Sequence, residues 1–170
     1  MNMKNITKKE IQELLTIIPR NYPSLDIFHL TNSCNGICQE LFEFCQSQGY
    51  GYDLSIPDAE YFEHISNTTE FKPHKFDFKR NRYNRLSRMY DFVFISLNLE
   101  EIEDIDAFYK KLYPISKNAG TVIFIVDKNY DLRAFEDRLI EGNYVAVNPI
   151  VETFENYQIL CAQKMHGWGN

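Results

Sequence analysis

Seven polar side chains set near strand ends carry the types and spacings from which chemistry could be built: His29, Thr31, Ser33, Asn35, Asp53, Asp77 and Ser96. The first four fall within IFHLTNSCNGICQEL, residues 27 to 41, which reads as an apolar strand, a short polar loop and the start of a helix. In α/β chains that hold nucleotide-like cofactors this junction carries glycines, because glycine takes positive φ and lets backbone approach a ligand. Here the loop holds one glycine, Gly36, while Thr31, Ser33 and Asn35 occupy alternate places. Asp53 and Asp77 are carboxylates able to accept bonds from ligand hydroxyls or amines. Each also has a plainer reading: Asp53 as a cap of the turn toward Pro57, Asp77 as a counterion to its cationic neighbours. His29, inside an apolar strand, reads as a hydrogen-bonded core residue or as a donor to a ligand. Ser96, and Asn98 beside it, come after an apolar run and serve equally as caps of a following helix.

Charge is segregated. Seven cations, Lys72, Lys75, Lys79, Arg80, Arg82, Arg85 and Arg88, stand against the single acid Asp77 between Lys72 and Tyr90, in a chain of net charge −6. An acidic chain is not a general nucleic-acid binder. The local run Lys79, Arg80, Arg82, Arg85 and Arg88, with Tyr83 and Tyr90 interleaved, nonetheless makes a surface for an anionic partner or nucleic acid. The alternative is a solvated segment whose arginines pair with acids of this chain or of a second copy. Cys34, Cys38 and Cys45 recur at four and seven residues, the spacing of one buried helical face, and match no zinc pattern. They read as core thiols in a reducing compartment, with no metal. No serine triad, phosphate loop or Cys-His pair assembles from local sequence.

At 170 residues, 44% hydrophobic and 25% charged, the chain suits a single domain, residues 1–170, with residues 1–20 as an N-terminal helical extension. That extension is charged and broken by Pro19, which predicts neither a signal peptide nor a membrane span and places the protein in the cytoplasm. Thr7-Lys-Lys-Glu10 is a capping box for a helix over 8–18. Strands are expected at 25–31, 51–54, 91–97 and 121–126, with helices at 34–48, 99–117 and 131–141 and a further helix start at Pro57-Asp58. Pro73 confines the extended stretch 70–78 to a sheet edge. Strands at 144–151 and 157–163, joined without a helix, form an antiparallel hairpin. The tail holds the only tryptophan, Trp168, which either covers the last strand or docks a partner.

Alternating strands and helices closed by a hairpin resemble the class I S-adenosylmethionine-dependent methyltransferases over nearly the whole chain. Tyr50-Gly-Tyr-Asp53-Leu-Ser looks like that family's second strand, Phe76-Asp77-Phe78 like its third strand end, Tyr90-Asp91-Phe-Val-Phe-Ile like its fourth strand, and Lys117-Asn-Ala-Gly120-Thr-Val-Ile like its fifth. The spacing from His29 to Asp53 is 24 positions and from Asp77 to Asp91 is 14, as such units need. The resemblance implies an α/β, Rossmann-like, mostly parallel seven-stranded sheet with a C-terminal antiparallel hairpin, and S-adenosylmethionine as cofactor. It lays His29 on the family's loop acid, Thr31, Ser33 and Asn35 on its three glycines, Asp53 on the ribose and Asp77 near the adenine, with an acceptor entering near Ser96 to Asn98.

Two functions are consistent with these residues. One is a methyltransferase of unassigned acceptor; Ser96-Leu-Asn-Leu-Glu-Glu101 is not the Asn/Asp-Pro-Pro-Tyr signature of amino-methylating nucleic-acid enzymes. The other is a non-catalytic relative that kept the fold as a binding or assembly module, engaging an anionic partner through residues 72–88. β-Branched Thr31, which does not cheaply take positive φ, sets the expectation that the cofactor is held weakly.

Overall fold

The computed structural model describes residues 6–34, 36–84, 86–150 and 154–165. Asn35, Arg85 and the Trp168 tail lie outside these described residues. The elements are α1 (Lys8–Leu15), β1 (Asp26–Thr31), α2 (Ile37–Gln48), β2 (Gly51–Ile56), α3 (Ala59–Thr68), β3 (His74–Lys75), β4 (Tyr90–Ser96), α4 (Ile105–Ile115), β5 (Ser116–Asp127), α5 (Leu132–Glu141), β6 (Tyr144–Ile150) and β7 (Tyr157–Lys164). They build one seven-stranded sheet of order β3-β2-β1-β4-β5-β7-β6. The first five strands pair in parallel, and β7 runs antiparallel to both β5 and β6. β1 and β4 are neighbours at the centre, Thr31 opposite Ser96, and β3 is a two-residue edge strand directly after Pro73.

Alternation along each strand sorts the core into two layers. Ile27, Phe92, Phe94, Ile123 and Ile125 pack with α1, α2 and α3, whereas Phe28, Leu30, Val93, Ile95, Val122 and Phe124 pack with α4 and α5. Central strands covered on both faces must be apolar at both parities, which is why their sequences read as continuous apolar runs.

Boundaries differ from expectation where local capping overrides periodicity. The capping box is present, with Thr7 N–H donating to Glu10 (3.0 Å) and Glu10 N–H to Thr7 Oγ1 (3.2 Å), but α1 stops at Leu15, short of the expected residue 18. β2 runs to Ile56, two residues beyond the expected end at Leu54. The expected helix 99–117 is instead a 3₁₀ turn, Leu99–Glu101, capped by Asn98, then α4 capped by Asp104. The chain leaves α4 after Pro114-Ile115 and enters β5 at Ser116. Between β3 and β4 the alternation fails, because the described residues of 76–89 form neither helix nor strand.

The cysteines depart from the expectation of three core thiols on one helical face. α2 begins only at Ile37, so Cys34 belongs to the preceding loop. Its Cα lies 5.0 Å from that of Cys38, within bridging range, and the two are joined as a disulfide. Cys45 and Cys161 are free.

Candidate functional site

The carboxyl ends of β1, β2 and β4 converge where strand order reverses, the place at which open α/β sheets bind ligands. Thr31 ends β1. Its hydroxyl accepts the Ser33 N–H (2.9 Å) and lies 2.8 Å from the Ser33 carbonyl and 3.1 Å from that of Ser96. The loop is thereby folded on itself and tied to β4. Asn32 accepts the Asp58 N–H (2.9 Å), and the Cys34 N–H donates to the Tyr61 hydroxyl (2.6 Å). Thr31 to Cys34 keep negative φ, and the positive φ falls at Gly36 (78°), which opens α2. A glycine loop turns backbone N–H groups toward its ligand. In this loop those of Ser33 and Cys34 are already bonded inside the protein.

His29 is fully buried one step below. Its Nδ1 bonds the Tyr52 hydroxyl (2.8 Å) and its Nε2 the Ser96 hydroxyl (3.1 Å), so one ring nitrogen donates and the other accepts. Burial pushes the imidazole down to about 3, leaving it neutral. The structure thus brings His29, Thr31, Ser33 and Ser96 together as one buried polar seam between β1 and β4. Asn98 caps the 3₁₀ turn, accepting from Glu100 N–H and donating to Glu101.

Asp53 stands apart from that seam. Because β2 continues to Ile56, Asp53 pairs with Phe28 in the middle of the sheet, and its carboxylate accepts the Tyr90 hydroxyl (2.6 Å). Burial first, and the Asp53 bond second, raise the Tyr90 phenol above its ordinary value. The acid just beyond the end of β2 is Asp58, which caps α3 by accepting the Tyr61 N–H (2.7 Å). In the sequence Asp58 reads only as a helix start. Its signal is the helix cap itself, which fixes where β2 must stop.

Asp77 accepts the Lys79 N–H (2.9 Å) in a local turn. It lines a cavity of about 630 Å³ at the carboxyl edge, walled by Pro57, Phe76, Phe78, Ile102 and Ala107 and edged by Glu101, Glu103, Lys79 and Lys111. Arg80, Arg82 and Arg88 lie beyond its walls in the β3–β4 crossing, with Arg80 and Arg82 exposed. Arg82 lines a groove with Lys110 and Lys111, the latter bonded to the Phe78 carbonyl (2.9 Å) and lying over the Tyr83 ring. Among the described residues no group of three or more His, Cys, Asp or Glu side chains could hold a metal, and no helix is long and apolar enough to cross a membrane.

No family model and no curated protein sequence matches the chain. Solved structures match it closely in fold. A S-adenosylmethionine-dependent methyltransferase from Aquifex aeolicus shares 12% identity over 90% of this chain and 88% of its own, with a TM-score of 0.70. The CMeT domain of the citrinin polyketide synthase matches at 8% identity over 92% of this chain and 51% of its own, with a TM-score of 0.70. Haemonchus contortus phosphoethanolamine N-methyltransferase 2, in complex with S-adenosyl-L-methionine, matches at 10% identity over 97% and 54%, with a TM-score of 0.65. The chain spans about half the length of the carbon methyltransferases it matches, 51% to 52%. At such identities the likeness is one of fold: the chain has the Rossmann-like fold of class I methyltransferases.

Proposed function

We propose that this domain is a methyltransferase that takes S-adenosylmethionine at the carboxyl edge of its sheet and admits an acceptor near the end of β4. The observation that supports this reading is the 630 Å³ cavity at that edge, in a fold whose solved examples include methyltransferases. The residues present fit the adenosine half of the group well. Phe76, Phe78, Ile102 and Ala107 offer apolar walls for the base, and Asp77 an acceptor for its amine. When bound, the group supplies a sulfonium methyl for in-line transfer, whose rate rests on positioning. The chain's own part is to orient: neutral His29 fixes the Ser96 hydroxyl, and Thr31 fixes the loop against β4.

The methionine half meets a loop whose Ser33 and Cys34 N–H groups are already bonded, so the hold there is weak. That same closure favours a second reading, a non-catalytic module of this fold that engages an anionic partner through Lys79, Arg80, Arg82, Arg85 and Arg88. Calorimetric titration with S-adenosylhomocysteine separates the two without needing the acceptor. The first reading expects binding weaker than micromolar that is lost in Ile102→Glu. No heat at millimolar ligand leaves the second, and submicromolar binding contradicts the account of the loop.

A further inference from the structure

The described residues of 76–89 cross from β3 to β4 without a helix, and the sheet face beneath them is incompletely filled. A cavity of about 460 Å³ remains there, lined by Phe28, Asp53, Ser55, Arg80, Tyr83 and Tyr90 among others. It differs in place from the carboxyl-edge cavity, since Asp53 lies opposite Phe28, at mid-strand, and not opposite Thr31. The two touch only at Phe76 and Asp77.

Its floor is polar. One Asp53 oxygen accepts the Tyr90 hydroxyl, which Asn84 also contacts (3.1 Å). The Asp53 carboxylate and Ser55 both line the cavity, where water or a ligand can meet them. The walls are aromatic, with Phe28 and Tyr90 rings 5.1 Å apart and Phe76 and Tyr83 rings 4.5 Å apart. The rim carries two exposed cations, Lys75 and Arg80, beside the exposed Asp77. Lys75 lies over the Phe62 ring, whereas Arg80 makes no ion pair among the described residues.

We propose that this cleft binds a nucleoside monophosphate unit, with phosphate on Arg80, base against Tyr83 and Phe76, and ligand O–H or N–H donors on Asp53 and Ser55. The order of the cleft, cation to rings to carboxylate, selects that class. A bare anion would use the rim and be repelled by Asp53 and Asp77, and a plain aromatic would make no bond to Asp53 or Ser55. Base stacking on aromatic side chains tolerates any of the four bases, so the unit is specified by its phosphate and donors. It comes either free or as the phosphorylated end of a strand running along Arg82.

The test is calorimetry on the full chain with AMP, GMP, CMP and UMP, against inorganic phosphate, adenosine and a 5′-phosphorylated oligonucleotide. At least one monophosphate should bind more tightly than phosphate or nucleoside alone, and Arg80→Glu should weaken it at least tenfold. Arg80 is exposed, so that variant should keep the wild-type melting temperature; Asp53→Asn, which leaves the rim intact, should also weaken binding. Tighter binding of the oligonucleotide identifies a strand end as the source, and equal or weaker binding the free nucleotide. No monophosphate binding at millimolar concentration, unchanged affinity in Arg80→Glu, or competitive displacement by S-adenosylhomocysteine would each overturn the proposal.

Discussion

His29 stays neutral in the folded chain down to about pH 3, whereas the same imidazole in an unfolded chain titrates near 6.5. The unfolded state therefore binds the extra proton first, and stability falls as pH falls from 6.5 toward 3. Between pH 7 and pH 5 this single group costs about 2 kcal/mol, and each further unit down to pH 3 costs about 1.4 kcal/mol. For a chain of this size that first step corresponds to a fall in Tm of about 4–8 °C. The cause is burial, which penalises the charged ring, while Tyr52 and Ser96 satisfy the two nitrogens of the neutral form. Urea unfolding monitored by circular dichroism at pH 7, 6 and 5 should be run on wild type and on His29→Gln. The variant will be weaker at every pH, having lost packing, but its curve should be flatter by about 2 kcal/mol over that range. Parallel curves for the two proteins would refute the reasoning.

Maleimide labelling of the denatured, unreduced chain should modify two thiols, Cys45 and Cys161, and four after reduction; four without reductant would rule out the Cys34–Cys38 bridge. A Cβ on Gly120 would stand 2.8 Å from the Lys117 carbonyl oxygen and 3.1 Å from that of Tyr90, both backbone. Gly120→Ala should thus lower stability by roughly 1–3 kcal/mol, and an unchanged urea midpoint would count against the β4–β5 register. If the cationic run holds a single strand through five phosphates, affinity should fall with salt at a log-log slope of about −3.5 and drop in Arg82→Glu/Arg85→Glu. Salt-independent binding, or none, returns those arginines to solvent.

The doubly covered strands, the antiparallel last strands and the edge position of β3 were legible because each has a local cause: apolar runs at both parities, a helix-free connection, and Pro73. The two faces of the core come from the same periodicity. Asp53 shows where legibility ended. Its type and distance from His29 fitted a strand end, but a strand stops where the next element's cap allows, and the cap of α3 at Asp58 let β2 run on to Ile56. The polar seam was half visible: Thr31 could be judged unfit for positive φ, yet its bonds to Ser33 and to β4 depend on Ser96, 65 residues away. The Cys34–Cys38 bridge was hidden by treating Cys34 as helical, when α2 begins only at Ile37 and leaves Cys34 outside it.

The sheet order carries a consequence for how the chain must assemble. Among the described residues β6 pairs with β7 alone, and β7 lies between β5 and β6 although it comes after both in sequence. Until residues 157–164 arrive, the apolar flank of β5 is an open template, and β6 has nothing to pair with. α5 is the element that can cover part of that interval, since Leu132, Phe135 and Leu139 pack on the β5 layer. β7 is thus the strand that both covers β5 and pairs with β6, and a chain stalled before Tyr157 would present β5 to any neighbour able to add a strand.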